Sequence, residues 1–532
     1  MHPYIAPLAG LLLAVYILLN VIKSLYEELA SPLRHLPGPT GGNPILGHAM
    51  RLDGDYSLTQ TWQDEFGSNY QYRWFFNKRQ LYTTDTKALS HILVNDTLYQ
   101  KGTIPRRFLG DLLGNGLLVV ETEDHRRQRK IFNPAFAVPQ IRALTEIFND
   151  KSLHLRDVWL RESPRHFEGR IDVLTWLKKT TLDAIGTAGF HYEFDALQPK
   201  NGANELNEAL EHVLQSPNQR RDMMRLAQAS IPWLKHFPLP GSKAFTDARQ
   251  KMFTLGAQLL EESKAQISAG VGEELHSGRD LLSVMVRANM ASEGQKLSDS
   301  DVISQIPTFL VAGHETTSTA TASVLHALSC NPGVQSNLRK ELFSLATDNP
   351  TMDELNSLTY LDHVVRETMR LFPPVGFTTR EAMADDVIPL SKPYVDARGL
   401  TYHSIEVKRG TTIRIPIAGV HRDKAIWGED ADLFNPERWE TIPESASNVP
   451  SVWGNLFTFL AGPHNCIGFR FALCEMKSLL FVLVRAFEFR EAVPKEEITF
   501  TSSPVRRPSV RIEEGKGIQM PLIVIPYSSS EA

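Results

Sequence analysis

The sequence predicts a mainly α-helical protein with a minor β part, preceded by a single N-terminal transmembrane helix. Three observations support this fold class. Apolar residues recur at helical spacing in several long segments, β-type runs are few and short, and an uncharged apolar stretch opens the chain. Of the 532 residues, 42% are hydrophobic and 22% are charged, a composition that can build a large core.

Composition and charge argue against two classes of protein. Lys and Arg number 56 against 61 Asp and Glu, a net charge of −5, whereas a nucleic-acid-binding protein should carry a basic excess. A disordered chain would have fewer apolar residues and a larger net charge. The three cysteines, Cys330, Cys466 and Cys474, do not form a disulfide framework, which indicates a reducing compartment.

The apolar segment from Tyr4 to Ile22 predicts a membrane anchor. No Asp, Glu, Lys or Arg precedes Lys23, and at about 1.5 Å per residue a helix of this length crosses a hydrocarbon core. A cleaved signal peptide is the alternative, but the basic n-region and a clear small-residue cleavage site are missing. Lys23 and Arg34 follow the span, so the positive-inside tendency places the rest of the chain on the cytoplasmic side.

A proline- and glycine-rich hinge follows the anchor. Pro37-Gly38-Pro39 cannot continue a helix, and the main body after it contains no internal repeat or convincing linker. The predicted organisation is therefore an anchor at 1–22, a linker at 23–49 and one large domain at 50–532.

Local patterns place several elements within that body. Two short runs around Asn77-Lys78-Arg79 predict a β-hairpin. Ser298 and Asp301 suit a capping box at the start of a long helix. The run Thr411 to Ile417 predicts a strand, and Pro416 within it favours an edge position.

The strongest chemical motif is the run from Phe459 to Gly468. A Gly/Pro-rich turn delivers Cys466 to the start of an apolar helix, where the helix dipole and free N–H groups are expected to lower the thiol pKa. Cys474 lies eight residues on and no Cys-x-x-Cys exists, so zinc spacing is absent. A single-cysteine ligand remains, which haem iron accepts. Cys474 and Cys330 are interpreted as inert buried residues.

Two further motifs are weak evidence separately and indicate a particular function only when they are considered together. Glu367 and Arg370 are neighbours on a helix that has one buried face, and Arg438 in the Phe434–Trp439 run supplies a second arginine. In the run from Ala312 to Thr317, Gly313 could leave room for a flat ligand. Glu315 and Thr316 follow it as an acid–alcohol pair suited to moving protons through ordered water.

Together these motifs resemble the cytochrome P450 family of haem-thiolate monooxygenases, from the anchor and the hinge to the end of the chain. The resemblance implies the cytochrome P450 fold, haem b as cofactor and Cys466 as its axial thiolate ligand. It implies that Thr316 and Glu315 are catalytic, forming the oxygen-activation relay. It also implies a buried structural triad of Glu367, Arg370 and Arg438.

The resemblance further implies donors to the haem propionates. The matching positions are His125, Arg129, Arg380 and His464. Two of them depart from the commonest family pattern, since His125 replaces Trp and His464 replaces Arg, although both can still donate to a carboxylate. The basic run from His125 to Lys130 is interpreted as either a solvated helix face or a docking face for an acidic reductase.

By the same resemblance, the protein hydroxylates a lipophilic small molecule with O2 and electrons from NADPH. The expected partners are NADPH–cytochrome P450 reductase, with cytochrome b5 as a further candidate, and the expected location is the endoplasmic reticulum membrane, single-pass, with the catalytic domain facing the cytoplasm. The expected pocket segments are Thr103 to Val120, Asn204 to Pro240, Ile306 to Ala312, Val375 to Thr379 and Ser502 to Val505.

The substrate is left open among several classes. The likeness to membrane-bound fungal members favours a terpenoid or other secondary metabolite, with a fatty acid or a xenobiotic as alternatives. Haem-thiolate relatives that rearrange peroxides tend to lack the acid–alcohol pair found here. A membrane-tethered haem-binding sensor without turnover is the alternative from a different class.

Overall fold

A computed structural model describes residues 26–54, 57–162, 169–198, 242–269, 280–292, 294–396, 398–501 and 505–528, with three isolated positions before residue 26. The chain forms two compact units. The smaller unit comprises Met1–Gln100 and Phe377–Gly419, and the larger unit comprises Lys101–Gly376 and Val420–Ala532. The expected pocket segment at 204–240 lies outside the described residues.

Helices make up most of the larger unit, and a few lie in the smaller one. The helices are α1 (Ala49–Gly54), α2 (Ser57–Phe66), α3 (Thr86–Val94), α4 (Thr103–Leu113), α5 (Thr122–Phe132), α6 (Val138–Glu162), α7 (Val173–Phe190), α8 (Ser242–Ser268), α9 (Leu281–Ala291), α10 (Asp299–Ile303), α11 (Gln305–Cys330), α12 (Pro332–Leu342), α13 (Met352–Ser357), α14 (Thr359–Leu371), α15 (Ile417–His421), α16 (Lys424–Trp427) and α17 (Phe469–Ala486).

The strands are short. They are β1 (Asn69–Arg73), β2 (Arg79–Thr83), β3 (Tyr99–Gln100), β4 (Arg170–Asp172), β5 (Thr378–Ala382), β6 (Asp386–Val395), β7 (Thr401–Val407), β8 (Thr412–Ile415), β9 (Phe487–Glu491), β10 (Ile498–Phe500), β11 (Pro508–Val510) and β12 (Pro521–Pro526). The smaller unit holds a sheet of order β1-β2-β8-β5-β3 and the pair β6-β7, and the larger unit holds β4-β12-β9 and β10-β11. The prediction of a mainly α protein with a minor β part is confirmed.

The hairpin and the capping box predicted from local sequence patterns are both present in the structure. Strands β1 and β2 form the predicted hairpin, with Asn69 opposite Thr83 and Arg73 opposite Arg79. The capping box is present at the start of α10, where the Ser298 side chain accepts from the Asp301 N–H and the Asp301 side chain accepts from the Ser298 N–H. Both signals depend on residues a few positions apart, so little else in the structure can override them.

The predicted edge strand is wrong. Strand β8 lies between β2, which it pairs in parallel, and β5, which it pairs antiparallel. The strand ends at Ile415, so Pro416 falls just beyond it and removes no hydrogen bond from the ladder. The proline therefore marks the end of an interior strand.

The membrane anchor stays a prediction. Among the residues that the structure describes, no helix combines the length and apolar character needed to cross a membrane. Almost all of the predicted span, from Tyr4 to Ile22, lies outside those residues.

Helix α11 runs through the core of the larger unit and packs closely against α7. Gly313 belongs to this contact, because a Cβ added there would lie 3.2 Å from Cγ1 of Ile185 on α7. The expectation that Gly313 leaves room for a flat ligand is therefore corrected: the missing side chain allows two helices to approach.

We expect Gly313→Leu to destabilise the larger unit by about 1–3 kcal/mol, since the new side chain must displace Ile185. The second variant, Gly313→Leu with Ile185→Ala, should recover part of this loss. Chemical unfolding measures both. The matched control is Gly333→Leu, because a Cβ at Gly333 meets nothing within 4 Å; equal losses at the two glycines would contradict the packing role.

Candidate functional site

The loop that carries Cys466 is held by its own backbone. A 3-10 turn at Phe457–Phe459 leads into it, and Gly462 adopts φ 71°, a conformation that favours glycine. The Cys466 N–H then donates to the Phe459 carbonyl at 2.9 Å. Cys466 is two residues before Gly468, the N-cap of α17, so the Gly/Pro pattern fixes where the thiol lies relative to that helix.

Cys466 has exposed surface, yet the protein around it desolvates its thiol. That combination is expected where a side chain faces a space inside the protein. Burial raises the pKa of the Cys466 thiol, while the Gly468 N–H and the Arg129 charge oppose the rise. The expected lowering of this pKa is therefore wrong for the metal-free thiol, because desolvation outweighs the helix terminus. A bound metal ion deprotonates a coordinating thiol outright.

The middle of α11 presents an open stripe within a buried helix. Ala312 is exposed and Thr316, one turn later, is half-buried, whereas most of the surrounding helix is buried. The Thr316 hydroxyl donates to the Ala312 carbonyl at 2.7 Å, which leaves its oxygen able to accept a further hydrogen bond.

Aromatic packing connects α11 to the cysteine loop. The ring of Phe309 on α11 lies 5.4 Å from that of Phe136, centroid to centroid. A Cβ added at Gly468 would lie 3.7 Å from the same Phe136 ring. The acid–alcohol helix and the cysteine turn therefore pack against one shared side chain.

Glu315 does not share the open stripe with Thr316. Its side chain is 2% exposed and its Oε1 accepts from Nε of Arg507 at 2.6 Å. Burial alone would raise the pKa of Glu315, but the charge and hydrogen bond of Arg507 outweigh it and the pKa is lowered. Arg507 carries no sequence motif, and its separation from Glu315 along the chain explains why the sequence did not reveal it.

Two stacked imidazoles occupy the positions where the family pattern has Trp and Arg. The rings of His125 and His464 lie 3.8 Å apart, tilted by 31°. Nε2 of His464 is 2.9 Å from Oε2 of Glu121, whose Oε1 lies 3.1 Å from Nζ of Lys101. Burial lowers the pKa of His125 to about 3, with help from the neighbouring cations. For Glu121, burial is outweighed by His464 and Lys101, and the pKa falls to about 2.

Arg129 joins α5 to the cysteine loop. Its Nη1 and Nη2 donate at 2.6 Å to the carbonyl and side-chain oxygens of Asn465, the residue before Cys466. Its Nε donates to Oδ1 of Asn133 at 3.0 Å. Asn465 and Glu121 are site residues that sequence reasoning missed: Asn465 lies within the cysteine motif but was given no role, and Glu121 belongs to no recognisable motif.

These donors fit a carboxylate-bearing cofactor. Nδ1 of His125 is buried and has no hydrogen-bond partner among the described residues. Arg129 reaches the loop of Cys466 from α5, and His464 lies within that loop. Arg380 lies in the smaller unit on β5, 3% exposed, and its Nη1 donates to Oγ1 of Thr378 and the carbonyl of Thr379. Within the larger unit, the side chains of His125, Arg129 and His464 supply hydrogen-bond donors near the loop of Cys466, which is the chemistry that an anionic haem edge requires.

The basic run on α5 is less cationic than its sequence indicates. Arg126 pairs with Glu123 at 2.5 Å and Arg127 with Asp124 at 3.1 Å, both one helical turn apart. His125 is buried and Arg129 is engaged with the cysteine loop. The run therefore forms a mixed-charge helix face, which favours a solvated surface over a uniformly positive docking site.

The structure brings Glu367, Arg370 and Arg438 together in a buried cluster. Arg370 donates to both Glu367 oxygens at 2.8 and 2.9 Å, and Nε of Arg438 approaches Oε1 at 3.4 Å. Arg438 also holds Asp430 at 2.8 Å, and Nε1 of Trp439 donates to Glu367 at 3.1 Å. Asp430 and Trp439 extend the predicted triad.

His421 connects this cluster to the cysteine loop. Its Nδ1 lies 3.1 Å from the Arg370 carbonyl, and its Nε2 accepts from the Phe457 N–H at 2.8 Å. Phe457 begins the turn that leads to Cys466. Burial, reinforced by the Arg370 charge, lowers the pKa of His421 to about 3, so the ring is neutral, with Nδ1 as the donor.

Known proteins resemble this chain over most of its length. The family model for cytochrome P450 matches residues 36–512. Cytochrome P450 monooxygenase 205 of Postia placenta is 47% identical over 98% of this chain and 97% of its own length. Cytochrome P450 monooxygenase claW of Ampulloclitocybe clavipes is 33% identical over 92% of each chain. A ganoderic acid synthetase of Ganoderma lucidum is 33% identical over 90% of this chain and 92% of its own.

We expect His421→Ala to lower the free energy of unfolding by about 1–3 kcal/mol for each buried backbone group left without a partner. The free energy of unfolding of the unmodified protein should also fall as the pH drops from about 6.5 towards 3. The reason is that His421 binds a proton in the unfolded protein but not in the folded protein over this pH range. Urea titrations across this range measure both effects.

The control is His403→Ala, since His403 is exposed on β7. An equal loss of stability in the two variants, or an unchanged pH dependence in His421→Gln, would contradict this role of His421.

Proposed function

Since this chain belongs to the cytochrome P450 family of haem-thiolate monooxygenases, we propose that it hydroxylates a lipophilic small molecule with O2 and electrons from NADPH. We propose a terpenoid or other secondary metabolite as substrate and NADPH–cytochrome P450 reductase as electron donor, with cytochrome b5 as a further candidate. The observation that carries the proposal is Cys466, which its turn presents with exposed surface two residues before the N-cap of α17.

The other cysteines support the assignment of Cys466 as the iron ligand. Cys474 is 4% exposed on α17, with its Sγ 3.4 Å from Oγ1 of Thr145, and burial raises its pKa to about 11. Cys330 ends α11 with its Sγ 3.8 Å from Nδ1 of His326, and burial raises its pKa to about 12. Neither is presented by a turn at a helix start, as Cys466 is.

Residues around the cysteine would hold the cofactor by its acidic edge. We propose His125, Arg129, Arg380 and His464 as donors to the haem propionates. When bound, haem supplies the activation of O2 and the insertion of one oxygen atom into the substrate. Asn465 keeps the Arg129 guanidinium beside the loop, while the unpartnered Nδ1 of His125 supplies a hydrogen-bonding position that the protein leaves open.

Two residues of α11 would handle protons. The Thr316 hydroxyl donates to the Ala312 carbonyl and can accept from an ordered water on the open stripe. Glu315 keeps an ionised carboxyl group one residue away. We propose that Thr316 orients the water and that Glu315 accepts and releases the proton, which makes both residues catalytic.

Apolar residues would select the substrate. Phe108 on α4 and Leu118 after it are more than one third exposed, so their apolar surfaces are available to a lipophilic molecule. Their neighbours Leu112, Leu117 and Leu310 are buried in the core itself. A relative whose name identifies ganoderic acid as its product supports a biosynthetic substrate.

We also propose the organisation given by the sequence: an anchor at 1–22, a linker at 23–49 and a catalytic domain at 50–532, on the cytoplasmic face of the endoplasmic reticulum membrane. Contacts within the smaller unit hold the chain that directly follows the proposed anchor. Glu28, in the helical residues 26–30, pairs with Arg79 on β2 and lies 3.8 Å from Arg73 on β1.

We expect the reduced protein in membranes to give a carbon monoxide difference band at about 450 nm, the signature of thiolate-ligated haem. Cys466→Ala should abolish this band, whereas Cys474→Ala and Cys330→Ala should keep it. The three variants form a matched set, since each removes one thiol from the same chain. A band that survives in Cys466→Ala, or no haem band in well-folded protein, would contradict the proposed function.

We expect deletion of residues 1–22 to release the protein from membranes while preserving the band at about 450 nm, because the anchor lies outside the catalytic domain. Fractionation of the deleted and full-length proteins measures the release. A deleted protein that stays in the membrane fraction would assign membrane binding to another surface, with the segment 204–240 as the next to test.

A further inference from the structure

A buried amide at the start of α11 bonds to three other segments of the larger unit. Gln305 is the first residue of α11 and is 0% exposed. Its Oε1 accepts from the Leu117 N–H at 2.9 Å, and its Nε2 donates to Oε1 of Gln128 at 3.2 Å and to the Asp301 carbonyl at 2.8 Å. A buried amide is costly unless it is hydrogen-bonded, and here both of its ends are bonded. The Gln305 side chain is therefore fixed in place.

A second buried glutamine continues the same network. Gln128 on α5 is 1% exposed, and its Nε2 donates to the Asn115 carbonyl at 2.9 Å, while its Oε1 accepts from Gln305. The two side chains thus hold the backbone of Asn115 and Leu117, which belong to the loop that joins α4 to α5 (residues 114–121). We call Gln128 and Gln305 the amide clamp, since together they bond this loop to two helices.

Two glycines let the α4–α5 loop lie directly on α11 and the turn before it. A Cβ added at Gly116 would clash with Oγ1 of Thr308 and lie 2.7 Å from the Ser304 carbonyl oxygen. Gly114 adopts φ 74°, and a Cβ there would lie 2.6 Å from Oγ of Ser304. Side chains at either position would push the loop outwards. The close approach and the amide clamp therefore fix the same loop independently.

The clamped loop carries apolar surface at a fixed place. Leu117 is buried in the core cluster that also contains Leu310, and the next residue, Leu118, is 39% exposed. Helix α5 is itself bonded to the loop of Cys466, because Arg129 donates to Asn465. The exposed surface of Leu118 is thus held relative to both α11 and the cysteine loop.

We propose that Gln305 is a positioning residue for substrate selection: with Gln128 it holds the α4–α5 loop against α11, so that the wall this loop contributes to the pocket keeps one shape. The proposal rests on the proposed function, in which this loop lies at the substrate pocket. A wall that is already ordered spares a ligand the cost of ordering it on binding. Gln305 therefore acts on large apolar ligands that contact the wall, and small ligands that do not reach it are indifferent to the clamp.

The test uses the full-length holoprotein in phosphatidylcholine vesicles and two probes, imidazole and 4-phenylimidazole. Both bind haem iron through nitrogen, and they differ by one apolar ring. Their dissociation constants are measured from the shift of the haem absorption band for the unmodified protein and for Q305M, Q128M and G116A. Methionine is close to glutamine in length but has no amide, so the first two variants remove hydrogen bonds and leave most of the packing.

Two matched controls come from the same chain. Q258M changes an exposed glutamine on α8 that bonds to Glu262 one turn further along that helix. G333A adds a Cβ at a glycine where nothing lies within 4 Å. Neither change touches the α4–α5 loop.

We expect Q305M to raise the dissociation constant of 4-phenylimidazole by about fivefold or more and that of imidazole by less than about twofold, because only the larger probe needs the ordered wall. Q128M and G116A should show the same selective loss, and both controls should match the unmodified protein. Hydrogen exchange followed by mass spectrometry should show faster exchange at residues 115–120 in Q305M, since the loop opens more often without the clamp. If Q305M does not fold, Q128M and G116A carry the same comparison.

Each failure has its own signature. Absence of the band at about 450 nm in the unmodified protein would reject the proposed function itself. With that band present, an equal weakening of both probes would assign Gln305 a merely structural role and overturn the inference. An unchanged affinity for 4-phenylimidazole despite faster exchange in the loop would also overturn it, because the loop would then not form part of the wall.

Discussion

The buried carboxylate of Glu367 is the interaction on which the catalytic side of the larger unit depends. It is fully buried and accepts hydrogen bonds from Arg370, Trp439 and the Asn435 N–H. Removing one partner from such a cluster leaves an uncompensated charge and costs about 3–5 kcal/mol. Arg370 continues the network to the carbonyls of His421, the last residue of α15, and of Leu433. One ion pair on a single helical turn therefore orders backbone from two other segments of the chain.

That organisation extends to the loop of Cys466 through neutral groups. The His421 ring connects the Arg370 carbonyl to the Phe457 N–H, and the Thr458 hydroxyl donates to the Met369 carbonyl. Phe459 then closes the turn on Cys466. The geometry of the thiol is therefore set by hydrogen bonds that begin on α14, which explains why an ion pair far from any reacting atom belongs to the same machinery.

Desolvation favours the neutral form of each buried titratable group in this region. A group stays ionised only where a neighbouring opposite charge outweighs the desolvation. Burial raises the pKa of Cys466 and lowers that of His125, so both favour their neutral forms. Glu121 and Glu315 stay ionised because each has a cation within hydrogen-bond distance. The stacked pair of His125 and His464 provides donor nitrogens where the family pattern has Trp and Arg, and Glu121 holds that pair in place.

The sequence by itself determined whatever depends on neighbours along the chain. The β1–β2 hairpin, the capping box at Ser298 and the turn before α17 all follow from residues within about fifteen positions of one another. The cysteine motif belongs to this group, and it was sufficient to indicate the family. The contacts between residues that are far apart in the chain were decided only by the tertiary structure. Gly313 faces Ile185 and not a ligand, β8 lies inside its sheet, and Arg507 pairs with Glu315 across 192 positions. The thiol pKa of Cys466 belongs here as well, because burial is a property of everything packed around a group, and no local pattern encodes it.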